Sequence, residues 1–209
     1  MKTDDKAWAA PVLLALTLLA ASYLALFAVC RYRVGLPFPA GLDLLVVALP
    51  HRDWTWVLSQ GYVIFLTGFF VFWFWRDRRR LAFILAATAV LMIVRDVFVL
   101  LTPVGPLPGL IPLYTGVAVT GIRDRLAFDG ELFFSGHTAA PFLYCLLSRR
   151  ERAVSLICLG VSLMNGLGVL LTRNHYSIDV LGAFVIVPTV VQLSRHFFGW
   201  MDPEPQVAA

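Results

Sequence analysis

The chain has 209 residues, of which 59% are hydrophobic and only 14% charged, with a mean hydropathy of +0.79. That is more apolar surface than one soluble core can bury, so the composition excludes a soluble globular domain and describes a polytopic membrane protein. The net charge of +4 and pI near 9.2 do not point to nucleic acid, because the basic residues gather in short clusters at the ends of apolar runs, where they set topology.

A hydrocarbon core about 30 Å thick needs roughly 20 apolar residues in a helix, and about six such runs can be read, giving an all-α bundle of six transmembrane helices. Residues 1–7 read as a short charged tail, and Trp8 to Cys30 as the first span. A cleaved signal peptide fits less well: the run is too long for an h-region, Asp4 and Asp5 precede it, and no A-x-A site follows. Arg31 to Asp53 is a loop with Pro37, Pro39, Gly41 and Pro50, and Leu42 to Leu49 suits a short interfacial helix within it.

The second span, Trp54 to Trp75, ends in the basic cluster Arg76 to Arg80; its aromatic run Phe69 to Trp75 reads as a lipid-facing span end. The third, Leu81 to Leu101, carries Arg95 and Asp96, ionisable groups that are costly in a membrane unless paired or facing a wet cavity. Thr102 to Pro112 is proline-rich and stops it. Leu113 to Gly130 is only mildly apolar; a re-entrant segment fits its first part, while Arg123-Asp124-Arg125 belongs in water or headgroups. The fourth span, Leu132 to Leu147, is closed by Arg149-Arg150-Glu151-Arg152, and the fifth and sixth run over Ala153 to Thr172 and Tyr176 to Phe198. Residues 8–200 thus form one transmembrane domain, and 201–209, with Pro203 and Pro205, read as a disordered tail. Cys30, Cys145 and Cys158 show no CxxC or paired-loop spacing, so neither a disulfide nor a cysteine metal site is expected.

Short basic loops mark the cytoplasmic side. With the clusters after spans two and four placed there, both termini are cytoplasmic, and His137 and His175 both start spans at the opposite face. Each lies in a polar island. Ser135-Gly136-His137-Thr138 reads as a helix start, with Ser135 as N-cap and Gly136 allowing close backbone approach, and such a terminus binds anions such as phosphate. His175 and Asp179 are spaced to meet on a helix, where the carboxylate fixes one imidazole nitrogen and leaves the other as nucleophile or base. His137 is then the partner acid, and Arg173 and Arg95 are candidate phosphate ligands. Zinc held by His137, His175 and Asp179 fits by ligand type, but the serine and glycine of the helix start suit an anion better, and no metal or cofactor is expected. Ser135 lacks the G-x-S-x-G elbow of a hydrolase nucleophile.

Gly-Glu-x-x-Phe-Ser-Gly-His-Thr followed by His-Tyr-Ser-Ile-Asp-Val resembles the last two motifs of the sphingomyelin synthase branch of the PAP2 (type 2 phosphatidic acid phosphatase) superfamily. Arg95, Thr102 and the run Gly105 to Gly109 resemble an earlier motif of that branch, so the likeness spans residues 95–184. It implies a six-span enzyme in which His175 attacks phosphorus, Asp179 orients it and His137 assists the leaving group, with a phosphohistidine intermediate and no metal. Ser135, Gly136, Thr138, Arg173, Arg95 and Glu131 would surround the phosphate. Glu131 stands where the branch has aspartate; there is no Arg-Pro, and Val169 stands where the phosphatase branch has arginine, departures that favour the synthase-like branch. The expected activity is transfer of a phosphate or phospho-headgroup from a phospholipid or sphingolipid to a lipid alcohol. With water as acceptor it is a lipid phosphatase. A bundle that only binds or transports lipid is the non-enzymatic alternative.

Overall fold

A computed structural model of the chain describes residues 8–33, 36, 38–102, 104–113 and 133–202. Among these the structure is all-helical: α1 (Ala9–Arg33), α2 (Leu44–Ala48), α3 (Tyr62–Arg76), α4 (Arg78–Leu101), α5 (Gly136–Leu147), α6 (Arg152–Leu171) and α7 (Ser177–Phe198). A π-helical turn, Val57–Gly61, leads into α3, and a 3₁₀ turn, Gly199–Met201, closes α7. The described residues hold no strand beyond an isolated parallel bridge between Ala40 and Gly105. The tails 1–7 and 203–209, the segment after Leu113 and Glu131 lie outside the described residues.

Among the described residues, five helices are long and apolar enough to cross a membrane: Ala9–Arg33, Val57–Arg76, Arg78–Leu101, Arg152–Leu171 and Ser177–Met201. The expected fourth span is shorter than the sequence suggested. Its helix has 12 residues, which at about 1.5 Å per residue gives roughly 18 Å, well under the bilayer core. Ser135 ends it on one side and Ser148 on the other. α5 does not need full length, because it packs against α4, α6 and α7 and buries Ala139, Ala140, Leu143, Tyr144 and Leu147.

The middle of the bundle is α4, which also contacts α1, α3 and α7. It buries an unbroken run from Arg80 to Ala89, in which Ala82, Ala86, Ala87 and Ala89 let neighbouring backbones come close. The aromatic run of α3 divides by helical period. Phe69 and Trp73 are buried in the core, with Phe69 stacked on Tyr144 at 4.4 Å, while Phe74 and Trp75 stay exposed. The expectation of a wholly lipid-facing span end is corrected accordingly.

Basic clusters and chain ends meet at one end of the bundle. Asp77 caps α4 by accepting from the Arg79 and Arg80 N–H groups. Arg76 pairs with Glu151 at 2.9 Å, and the Arg78 guanidinium lies 4.9 Å from the Trp8 ring. The buried Arg80 guanidinium binds the Asp202 carboxylate and the Leu147 carbonyl. At the far end the Arg33 side chain reaches the carbonyls of Val99, Thr102 and Val104, capping the C-terminus of α4 with positive charge.

Removing one partner of a buried ion pair strands the other, so Arg80→Ala is expected to destabilise the protein by about 3–5 kcal/mol. Thermal unfolding in detergent, measured against the parent protein, checks this.

Candidate active site

His175 is held in a five-residue turn between α6 and α7. α6 ends in a Schellman arrangement: the Asn174 N–H donates to the Val169 carbonyl at 2.9 Å and the Arg173 N–H to Leu170 at 3.1 Å. The left-handed position, usually glycine, is Arg173 with φ +57°. The chain accepts this backbone cost to put an arginine there. The Arg173 Nη1 donates to the Pro108 carbonyl at 2.9 Å, beside Gly109, whose own φ is +78°.

α7 begins only at Ser177, so His175 precedes the helix and does not share a helical face with Asp179. The pair nevertheless forms. Asp179 lies in the first turn, and its Oδ2 lies 3.1 Å from His175 Nδ1 while accepting from the Tyr176 N–H at 2.9 Å. Both residues are buried, at 6% and 2% exposure. The carboxylate therefore fixes the ring with Nδ1 engaged and Nε2 as the remaining reactive nitrogen.

Ser135 caps α5 as expected, and its hydroxyl oxygen is taken up by the cap. It accepts from the Thr138 N–H at 3.4 Å and the Thr138 hydroxyl at 3.1 Å, and both side chains are buried. What the helix start offers an anion is the backbone N–H groups of its first turn. This start is tied to α7, because the Ser135 N–H donates to the Asp179 carbonyl at 3.1 Å. Arg95 joins it from α4: its Nε donates to the Phe134 carbonyl at 2.9 Å, and its guanidinium lies against Gly136, where a Cβ would stand 3.4 Å from Nε. His137 is partly buried, with its ring 4.8 Å from that of Tyr62. Arg95, Ser135, Gly136, His175 and Asp179 thus form one connected group, while Thr138 turns inward and Arg173 points to the Pro108–Gly109 loop.

Two positioning residues are new to the sequence reading. The Tyr176 hydroxyl accepts from the Gly41 N–H at 2.8 Å and donates to the Gly105 carbonyl at 2.9 Å, stapling two loops to the start of α7. Asp43, at 8% exposure, caps two helices at once. One oxygen accepts from Leu45 and Val46 in α2, and the other accepts from the Ser177 N–H at 2.6 Å in α7. An aspartate before Leu44 could have been read as a cap for α2; its second helix lies 134 residues away and has no local signal.

Residues 130–197 match the family described as PAP2 superfamily C-terminal. The match contains His137, His175 and Asp179, and it supports a place in the PAP2 superfamily without distinguishing its branches. With the five apolar helices it supports an integral membrane protein of the lipid phosphatase or phosphotransferase type. No curated protein and no solved structure matches the chain. Among the described residues, no three His, Cys, Asp or Glu side chains cluster in a way that could hold a metal ion.

Burial works against ionisation of Asp43, but hydrogen bonds from Ser177, Val46 and Leu45 outweigh it and hold the carboxyl below its ordinary range. A carboxylate whose pKa falls on folding stabilises the fold above its unfolded value near 3.9, and the gain is lost as pH falls through the folded value. Asp43→Ala is therefore expected to cost about 1–2 kcal/mol at pH 7, as for a lost helix cap. Melting curves taken across pH should show the two proteins converging below about pH 4.

Proposed function

We propose that this protein is a membrane lipid phosphotransferase, similar to sphingomyelin synthases, that works through a phosphohistidine. The observation that carries this reading is the His175–Asp179 pair, bonded at 3.1 Å and tied through the Asp179 carbonyl to the helix start that bears His137. On this reading residues 8–200 act as one catalytic unit whose core is 95–184. The termini and basic clusters face the cytoplasm and the site faces the other side.

In the first half-reaction, the lone pair on His175 Nε2 attacks phosphorus and the bond from phosphorus to the leaving lipid oxygen breaks. His137 gives that oxygen a proton. Asp179 bonds Nδ1–H and stabilises the positive charge that develops on the ring. Charge on the equatorial oxygens is met by the Arg95 guanidinium and by first-turn N–H groups of α5; Arg173 would join them only on releasing the Pro108 carbonyl. In the second half, a lipid alcohol such as diacylglycerol or ceramide loses its proton to His137 and attacks the phosphohistidine, which regenerates His175. If water enters instead, the same steps release the transferred group as free phosphate or as the phosphorylated headgroup. Glu131 precedes the helix start in sequence and is proposed as part of the phosphate surround.

A labelled phospholipid incubated with purified protein, with and without diacylglycerol or ceramide, tests the reading. Label transferred to the lipid alcohol supports it, and free phosphate released at the same rate whatever acceptor is present would sink the transferase activity. His175→Ala and Asp179→Ala should stop the acid-labile phospho-adduct from accumulating, and His137→Ala should slow turnover by about 10²–10⁴-fold. Chelators should change none of these rates.

A further inference from the structure

Two loops lie against the turn that carries His175. The Arg52 N–H donates to the Leu171 carbonyl at 3.1 Å and the Ile111 N–H to the Thr172 carbonyl at 2.9 Å, so both segments rest on the end of α6. They converge at Gly109, where a Cβ would stand 3.1 Å from Arg173 Nη1 and 3.8 Å from His51 Cε1. His51 and Arg52 are exposed, and the bond from Arg173 to the Pro108 carbonyl uses one of the five N–H donors of its guanidinium. Among the described residues no carboxylate forms an ion pair with any of these three side chains. Asp53 accepts from the Thr55 N–H and hydroxyl at 2.9 and 2.6 Å, and Asp43 is taken up by its two helix caps.

An apolar shelf precedes this cationic patch in the chain. α2 packs Val46 against Leu107, Leu170 and Tyr176, with Leu49 alongside. Its other side exposes Leu42, Leu44, Leu45 and Val47, with no charged residue among them. Five helical residues cannot cross a bilayer. A helix with such a face lies at the boundary of acyl chains and headgroups, its apolar side in the lipid. The exposed Trp56 just before α3 belongs at the same level, where tryptophan is enriched. Residues 51, 52 and 173 then stand at headgroup depth.

The two features together select the occupant. Acyl chains cover the shelf, and the phosphate of the same molecule meets Arg52, Arg173 and an imidazole N–H of His51 in charge-assisted bonds. A zwitterionic lipid brings an ammonium toward the same cations, and free phosphate has nothing to lay on α2.

We propose that the outward face of α2 and the cationic trio of His51, Arg52 and Arg173 form a docking site for an anionic phospholipid of the leaflet at that end of the bundle. The site stands apart from the His175–Asp179 pair and does not rest on the transferase reading.

The test uses the intact protein in phosphatidylcholine nanodiscs containing a small fraction of a lipid with a diazirine in one chain, either phosphatidylglycerol or phosphatidylcholine. Phosphatidylglycerol is expected to label residues 42–56 about tenfold more than phosphatidylcholine, and Arg52→Gln should cut that labelling about fivefold, the step for one arginine near a membrane surface. Arg52 is exposed, so the variant should melt with the parent. Excess inorganic phosphate should leave the labelling intact; displacement by it would reduce the patch to a simple anion site and overturn the proposal. Equal labelling by the two lipids, no response to Arg52→Gln, or phosphatidylglycerol labelling confined to the basic clusters at 76–80 and 149–152 overturns it as well. Labelling is read without turnover. A protein that docks the lipid but transfers nothing loses the transferase reading alone, and one that transfers without this labelling loses the docking site alone.

Discussion

The carboxylate of Asp179, in the first turn of α7, accepts the Tyr176 N–H and faces His175 Nδ1 with the same oxygen, while its backbone carbonyl accepts from Ser135 at the start of α5. One residue therefore sets the orientation of the histidine ring and the distance between the two polar islands. The first-turn position suits it, because the positive end of the helix dipole favours an ionised carboxylate there. His175 itself stands before the helix, so its place depends on the turn that ends α6 and on this single acidic partner. If Asp179 moved, the ring and the start of α5 would lose their common reference.

Around that residue the structure satisfies helix ends that a membrane would otherwise leave unpaired. Lipid offers no hydrogen bonds, so a helix ending inside the bundle needs a partner from the protein. Arg33 covers the carbonyls at the end of α4, Asp43 covers N–H groups of α2 and α7, and Tyr176 joins the Gly41 and Gly105 loops. Gly105 tolerates no side chain in that staple, since a Cβ would meet the Phe38 carbonyl oxygen at 2.2 Å. These contacts make the loops part of the site wall. They hold the turn that carries His175 down onto the bundle.

The family match begins at residue 130 and ends at 197, so it covers the two histidine islands and nearly all of α5 to α7, while Arg95, Asp43 and Tyr62 lie outside it. His137 and His175 thus fall in the matched region and much of their surround does not. The unmatched surround is made by α3, α4 and the loops. Those segments carry Arg95 beside Gly136 and Tyr62 against the ring of His137.

Apolar runs and their basic ends were legible in the sequence, because a helix crossing lipid must be long, apolar and closed by charge whatever its neighbours are. The boundaries of α1, α4, α6 and α7 accordingly fall within a few residues of where the runs begin and end. The Ser135 cap and the partnership of His175 with Asp179 were legible too, since both act over three or four residues. The depth of α5 was not: twelve helical residues suffice only because three other helices surround them, and composition carries no record of neighbours. The same holds for Phe69 and Trp73, which period alone allows to face lipid or core, for Asp43, which caps a helix 134 residues away, and for the orphaned oxygen of Asn165. The sequence by itself determined a helical membrane bundle with two histidine islands. Tertiary structure decided which side chains meet, because burial, second caps and unmet hydrogen bonds arise only when distant segments come into contact.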